Sequence, residues 1–361
     1  MKKQDMAKAA RMRLKVVGAS ALIVLLAACG DHPPKDDGDG EEPPPVRSTG
    51  ISIVAGNATE SGARDATGTA ARFNAPRGIA MDGAGNLYVV DGDNDTIRKI
   101  TPSGAVTTFA GFAGGEEYID GVGGSARFTN PYAIAIDRSG TLFVTDELRI
   151  RSIGTGGQVS TVTTIPVGTN VQGRSMGLVR PGGIAVDTKG SLYVTNSYGT
   201  RRIANGTTTM LEGSNVVNNL TNTQPFYPRG IAVDSNDNVY VADLQKTVSK
   251  TNGSTTLTHL AGTPGTTGSR DGTGTAASFE RVVAMTVDPQ GNVYAADEIN
   301  NVVRKITPAG VVTTVAGTLK ATTLTTGALP GSLPPINGIT TDGKGNLYAT
   351  TGNAVIKIAV P

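Results

Sequence analysis

The sequence predicts an all-β fold, a six-bladed β-propeller, over residues 50–361. Three observations predict it. A motif recurs six times, β-branched and aromatic runs alternate with Gly, Pro, Asn and Asp, and the first such run belongs to the end of the repeat. A period of roughly 20–50 residues marks stacked or radial architectures, because one unit cannot bury its own apolar faces.

The motif is (P)xGIAxDxxGNLYVxD. It reads PRGIAMDGAGNLYVVD from Pro76, PYAIAIDRSGTLFVTD from Pro131, PGGIAVDTKGSLYVTN from Pro181 and PRGIAVDSNDNVYVAD from Pro228. Weaker copies are VVAMTVDPQGNVYAAD from Val282 and INGITTDGKGNLYATT from Ile336. The shared aspartates, Asp82, Asp137, Asp187, Asp234, Asp288 and Asp342, are spaced by 55, 50, 47, 54 and 54 residues.

Each unit reads as four short strands. The first is apolar, and the second carries an aromatic at one place: Tyr88, Phe143, Tyr193, Tyr240, Tyr294 and Tyr348. Between them D-x-x-G-N, or a close variant, spells a tight turn in which Gly takes a backbone conformation that other residues resist. A third strand reads IRKI to Ile100, VRKI to Ile306 and VIKI to Ile358. The fourth is rich in Thr and Val, as in VTTFAG from Val106. Such runs between turn residues are strand signals, and residues 50–361 show no sustained helical period.

The last unit stops after its third strand, whereas the folded part begins with a fourth-strand sequence, ISIVAG, at Ile51–Gly56. Pairing this N-terminal strand with Val355–Ile358 completes the last blade and removes an open edge. Three inserts precede blades one, two and five: RDATGTAARFNAP from Arg64, IDGVGGSARFTNP from Ile119 and SRDGTGTAASFERV from Ser269. Their Phe73, Phe128 and Phe279 are expected to plug seams between blades, and Asp65, Asp120 and Asp271 to cap turns.

This motif run resembles the NHL repeat over essentially all of residues 50–361. The resemblance implies a propeller of four-stranded NHL-type blades and leaves the function open, since one such fold hosts many functions. Some animal NHL domains bind RNA through a basic face, and six-bladed relatives include amidating lyases that need histidines. Gluconolactonase-like propellers hold a divalent ion with Glu, Asn and Asp.

The N-terminus has the three zones of a secretion signal. Lys2, Lys3, Lys8, Arg11, Arg13 and Lys15 form a basic region, and an apolar run of thirteen residues, Val16 to Ala28, follows. A spanning helix needs about 20 apolar residues. The run ends in Leu26-Ala27-Ala28-Cys29, which resembles the lipobox of bacterial lipoproteins and implies cleavage before Cys29 and lipidation of its sulfur. Residues 1–28 are thus expected to be a signal peptide and residues 29–49 a lipidated cysteine with an acidic, Pro-rich tether. Gly30, rather than Asp, after the cysteine directs the expected cell-envelope address towards the outer membrane. Cys29 is the single cysteine, so no disulfide can form.

The net charge of +2 belongs to the uncleaved chain. Removing six Lys/Arg and one Asp from 32 and 30 leaves 26 basic against 29 acidic residues, about −3. Nucleic-acid binding relies on clustered positive charge, so it is not expected.

Candidate binding residues are those that break the repeat on the face where outer-to-inner connections and the loops between strands two and three meet. Tyr118, Tyr132, Tyr198 and Tyr227 fall there, as do Arg77 and Arg229, which share with Tyr132 the position after the motif's first residue. Tyr and Arg are enriched at binding hot spots. Arg77, Tyr132, Tyr198, Tyr227 and Arg229 are accordingly the expected ligand contacts. The partner is a protein, peptide or envelope polymer, and the membrane is met through the lipid.

Catalytic machinery is not evident. His32 lies in the tether and His259 on an outer strand, so neither a His-ligated zinc nor a Ser-His-Asp triad is expected. Asp91, Asp93 and Asp95 have calcium-loop spacing, but Pro102 stands where an EF-hand needs Glu. They are kept as a loose calcium candidate; no cofactor is expected. Arg98, Arg151, Arg201 and Arg304 recur on third strands and are expected to cover the blade surface with their alkyl stems. The sequence thus favours a tethered binding or scaffolding module. The alternative is a carboxylate- or calcium-dependent enzyme of lactonase or lyase type.

Overall fold

A computed structural model describes residues 48–115, 117–164, 182–196, 199–211, 229–243, 246–252 and 254–361. Cys29, Tyr198 and Tyr227 lie outside the described residues. The fold is a six-bladed β-propeller of antiparallel sheets. Blade one runs Pro76–Met81, Leu87–Asp91, Thr96–Ile100 and Ala105–Gly111, from the axis outwards; blades two to five repeat this meander, and blade six takes its outer strand from the N-terminal end of the fold.

The second strands explain why the sheets stack. Side chains alternate across a strand, so a sheet buried on both faces needs apolar residues at successive positions. In blade one, Leu87 and Val89 enter a cluster with Val355 of blade six, whereas Tyr88 and Val90 enter another with Ile134 and Val144 of blade two. Every seam between neighbouring blades holds one such cluster. The core is therefore divided into six interblade layers.

The motif's aspartate organises the inner hairpin. Asp82 Oδ1 accepts from the Ala84 and Asn86 amides, and Oδ2 accepts from Asn86 Nδ2 and, at 3.3 Å, from the Tyr88 hydroxyl. Gly85 completes the turn at φ 82°. The arrangement recurs at Asp234 and Asp288, so the fixed Tyr is explained by the turn as well as by the core.

The ring closes as the sequence predicts. Gly50–Gly56 pairs with Ala354–Ala359, Ile51 facing Ile358 and Ile53 facing Ile356. A second pair of hydrogen bonds joins Ile51 to Gly327, at 2.7 and 2.8 Å.

Two expectations are corrected. Blades one, two and five have five strands, because Ala66–Thr67, Gly121–Val122 and Gly272–Thr273 of the inserts pair outside the fourth strand. The recurrent arginines of those blades are not surface residues: Arg98, Arg151 and Arg304 are 0% exposed. Each lies where the register slips between the third and outer strands, and such a bulge re-aims a side chain.

These arginines form the same lock three times. Arg98 donates to Asp91 Oδ2 at 2.7 Å and to Asp65 Oδ1 at 2.5 Å, and its guanidinium lies 5.1 Å from the centre of the Phe73 ring. Arg151 repeats this with Asp146, Asp120 and Phe128; Arg304 donates to Asp271 and lies near Phe279 in the same way, and forms an ion pair with Asp297 at 3.6 Å. Asp65, Asp120 and Asp271 also accept from the amides of Thr108, Thr161 and Thr314 on the outer strands. They tie insert to blade, where sequence reasoning expected turn caps.

Burial pushes the Asp146 carboxyl up to about 6, against the lowering effect of the Thr129 amide and Arg151. A folded-state pKa above the unfolded value means that the folded chain binds the proton more tightly. That contribution is present below about pH 4 and is lost as pH rises through about 6. Relative to an Asp146→Asn variant, the parent should lose on the order of 2 kcal/mol between pH 4 and 6.5, read by urea melts. A pH-independent difference would refute the shift. Asp82, Asp120, Asp237 and Asp342, whose pKa values are lowered, act oppositely and lose their stabilisation as pH falls below the usual carboxylate range.

No helix among the described residues is long and apolar enough to cross a membrane.

Candidate functional site

The inner strands surround an axial channel of about 60 Å³. Three tiers of the motif line it. The lowest is Ile79, Ile134, Ile184, Ile231, Met285 and Ile339, each only 5–7% exposed. Above it small residues let neighbouring blades approach: a methyl group at Gly183 would lie 2.4 Å from Arg229 O, and one at Gly338 would lie 2.4 Å from Arg77 O. Thr195 and Thr350 hydroxyls donate to those same carbonyls, so the motif's glycine is an interblade contact. Small-molecule clefts typically span roughly 300–1,000 Å³, so the described channel is too tight for such a ligand.

The top tier is the position after the motif's first residue: Arg77, Tyr132, Gly182, Arg229, Val283 and Asn337. A register slip in the inner strand lies at this place, between Pro76 and Ile79 in blade one and between Ile336 and Gly338 in blade six. Tyr132, Gly182, Arg229, Val283 and Asn337 of this tier line the channel, and the residue differs from blade to blade.

Arg229 is exposed and lines the channel, and its side chain makes no hydrogen bond or ion pair among the described residues. Tyr132 lines it too, half-buried. Arg77 turns away. Its Nη1 donates to Asn130 Oδ1 and Pro131 O, and Nη2 to Asp93 Oδ1 at 2.9 Å, joining blade one to the loop before blade two. Asn337 is exposed at the mouth and donates Nδ2 to Pro76 O. Sequence reasoning passed over Asn337, although filling the same motif column in the sixth copy would have found it.

Tyr118 sits in the insert of blade two with the Arg149 guanidinium 3.6 Å from its ring centre. His259 contacts the Gly262 carbonyl on the outer strand of blade four, at 2.8 Å.

Asp91, Asp93 and Asp95 do not converge on a cation. Asp91 is fully buried in the lock and accepts from Asn74, Asn94 and Arg98. Asp93 meets Arg77, and Asp95 accepts from the Asn130 amide. Among the described residues no group of three His, Cys, Asp or Glu could hold a metal ion.

No family model matches the chain, and no curated protein matches it. Solved structures do. A Bacteroides thetaiotaomicron protein of unknown function is 21% identical, with a TM-score of 0.68 over 87% of this chain and 76% of its own. An auxiliary nutrient binding protein from the same species is 16% identical, with a TM-score of 0.64 over 86% and 76%. A gluconolactonase from Xanthomonas campestris is 13% identical, with a TM-score of 0.52 over 80% and 87%. At these identities the likeness shows the fold alone, and its bearers include both a binding protein and an enzyme.

Proposed function

We propose that the chain is a binding module of the cell envelope, held to the membrane by a lipid on Cys29, that takes a protein, peptide or envelope polymer at the channel mouth. The observation that carries the reading is the contrast between tiers. Isoleucine and glycine recur below, as a scaffold requires, whereas the mouth varies, with Arg229 exposed and a half-buried Tyr132 beside the Arg77 guanidinium. Arg and Tyr supply directed hydrogen bonds and broad apolar area, the pairing common at hot spots. A carboxylate- or calcium-dependent lactonase or lyase is the alternative, and it draws on likeness of fold alone.

The test compares the full-length chain with an Arg229→Ala/Tyr132→Ala variant, by crosslinking in intact cells and affinity purification. Arg77 is left in place because it joins two blades. The variant should melt within about 2 °C of the parent and capture at least about tenfold less partner, the loss expected for a hot spot of 1.4 kcal/mol or more. Equal capture would remove the mouth from consideration. In the same cells Cys29→Ala should move the protein from the membrane fraction to the soluble one; retention in the membrane would refute the lipid anchor.

A further inference from the structure

The lock of blade two has fewer donors on its buried carboxylate than those of blades one and five. Asp91 accepts from the Asn74 amide, Asn94 Nδ2 and Arg98. Asp297 accepts from the Glu280 and Arg281 amides and from Asn300 Nδ2, beside its ion pair with Arg304. Asn94 and Asn300 lie in four-residue connections between the second and third strands, 92–95 and 298–301. Blade two has only Glu147 and Leu148 there, so that Asn has no counterpart. Asp146, 0% exposed, is left with the Thr129 amide at 2.7 Å on Oδ1 and Arg151 Nη1 at 2.9 Å on Oδ2. The other charged groups around it are Asp120 beyond Arg151, Asp95 of blade one, Glu147 next in the chain, and Arg149, whose guanidinium is turned onto Tyr118.

The segment that this carboxylate holds runs to the channel. Thr129, Asn130 and Pro131 lead into Tyr132, and Pro131 faces Asp146 across the ladder. Asn130 donates its amide to Asp95 Oδ1 and accepts Arg77 Nη1 on its side chain. The Arg77 guanidinium also lies 5.7 Å from the centre of the Tyr132 ring. The ring is thus placed by a short run of chain whose ties all end on charged groups of two blades. Burial pushes the Asp146 carboxyl up to about 6, and the Asp95 carboxylate adds to the rise, so this tie changes charge near neutral pH. The Thr129 bond is charge-assisted only while Asp146 is ionised, and such bonds are roughly twice as strong as neutral ones.

We infer that Asp146 is a proton-operated latch on the channel mouth: taking up a proton slackens its hold on the Thr129 amide, and the Thr129–Tyr132 segment shifts and re-aims the Tyr132 ring. Blades one and five, whose carboxylates keep an Asn donor, hold the corresponding segments by a further bond. A consequence for partner capture rests on the function proposed above; the movement of the ring does not.

The chain contains no Trp, so Tyr132→Trp places a single emitter at the mouth of the full-length protein in detergent. Its emission maximum should shift along a one-proton curve with a midpoint near pH 6. With Asp146→Asn added, the emission should stay at its low-pH value throughout. With Asp95→Asn added instead, the shift should persist with its midpoint at lower pH, because an anion that raises Asp146 is gone. That variant should fold, since Asn353 of blade six accepts the Ala75 amide in the same manner, and it decides the matter if Asp146→Asn does not fold. If the Trp variant itself fails to fold, fluorine NMR of the parent carrying meta-fluorotyrosine reads the same titration, with the Tyr132 signal assigned by Tyr132→Phe. No shift in the parent background, an undiminished shift with Asp146→Asn, or an unmoved midpoint with Asp95→Asn would each overturn the latch.

Discussion

A chain lacking residues 50–56 is expected to lose its cooperative fold at temperatures where the parent is fully native. The deleted strand is the outer edge of blade six, and it serves both seams that flank that blade. Ile51 belongs to the cluster shared with blade five, and Ala55 to the one containing Phe73, Ile79 and Val355 around blade one. Removing it bares the ladder of Ala354–Ala359 and also cuts the bridge to Gly327. Each lost hydrogen bond is worth about 0.5–1.5 kcal/mol net, and each large buried side chain about 1.5–3 kcal/mol. The sum, on the order of 5–10 kcal/mol, is comparable with the whole stability of a domain, about 5–15 kcal/mol. Circular dichroism melts and urea titrations read the effect. A synthetic peptide of residues 48–57 should partly restore the transition, because it supplies the missing strand in trans. A deleted chain that melts within a few degrees of the parent would show that ring closure is not where the stability lies.

The closure was legible because it is written locally: a fourth-strand sequence at one end and a missing fourth strand at the other. Blade number was legible for a similar reason, since the turn chemistry around Asp82 and its five counterparts repeats at nearly even spacing. The locks were not. An arginine in a strand is by default an exposed residue, and nothing adjacent to Arg98 in sequence contradicts that. Its partners lie seven residues back at Asp91 and thirty-three back at Asp65. The signal was a correlation between columns: the three blades with an insert aspartate and a seam phenylalanine are those with a fully buried arginine. At the mouth, the position was legible but the direction was not. Arg77 and Arg229 occupy the same motif column, yet Arg77 finds Asp93 and Asn130 within reach and turns to them.

Arg98→Ala should destabilise the domain by about 3–5 kcal/mol, far more than Asp65→Asn on the other side of the same guanidinium. The two partners differ in where they are left. Asp91 is 0% exposed, so losing Arg98 strands a carboxylate in the interior, with only the Asn74 amide and Asn94 Nδ2 to hold it. Burial already raises the Asp91 pKa with Arg98 in place, and without the cation the group should take up a proton on folding. The Phe73 ring would also lose the cation 5.1 Å from its centre, beside a cavity the size of the missing side chain. The Asp65 side chain, by contrast, is 46% exposed, and water can take over much of what it gives. Asp65→Asn should therefore cost about 1 kcal/mol. A double variant, Arg98→Met/Asp91→Asn, removes both interior charges and should recover more than half of the single-variant loss, as neutral replacement of buried pairs does. Urea melts of the four chains decide the point. If Asp65→Asn cost as much as Arg98→Ala, the lock would draw its strength from the insert contact and not from the buried pair.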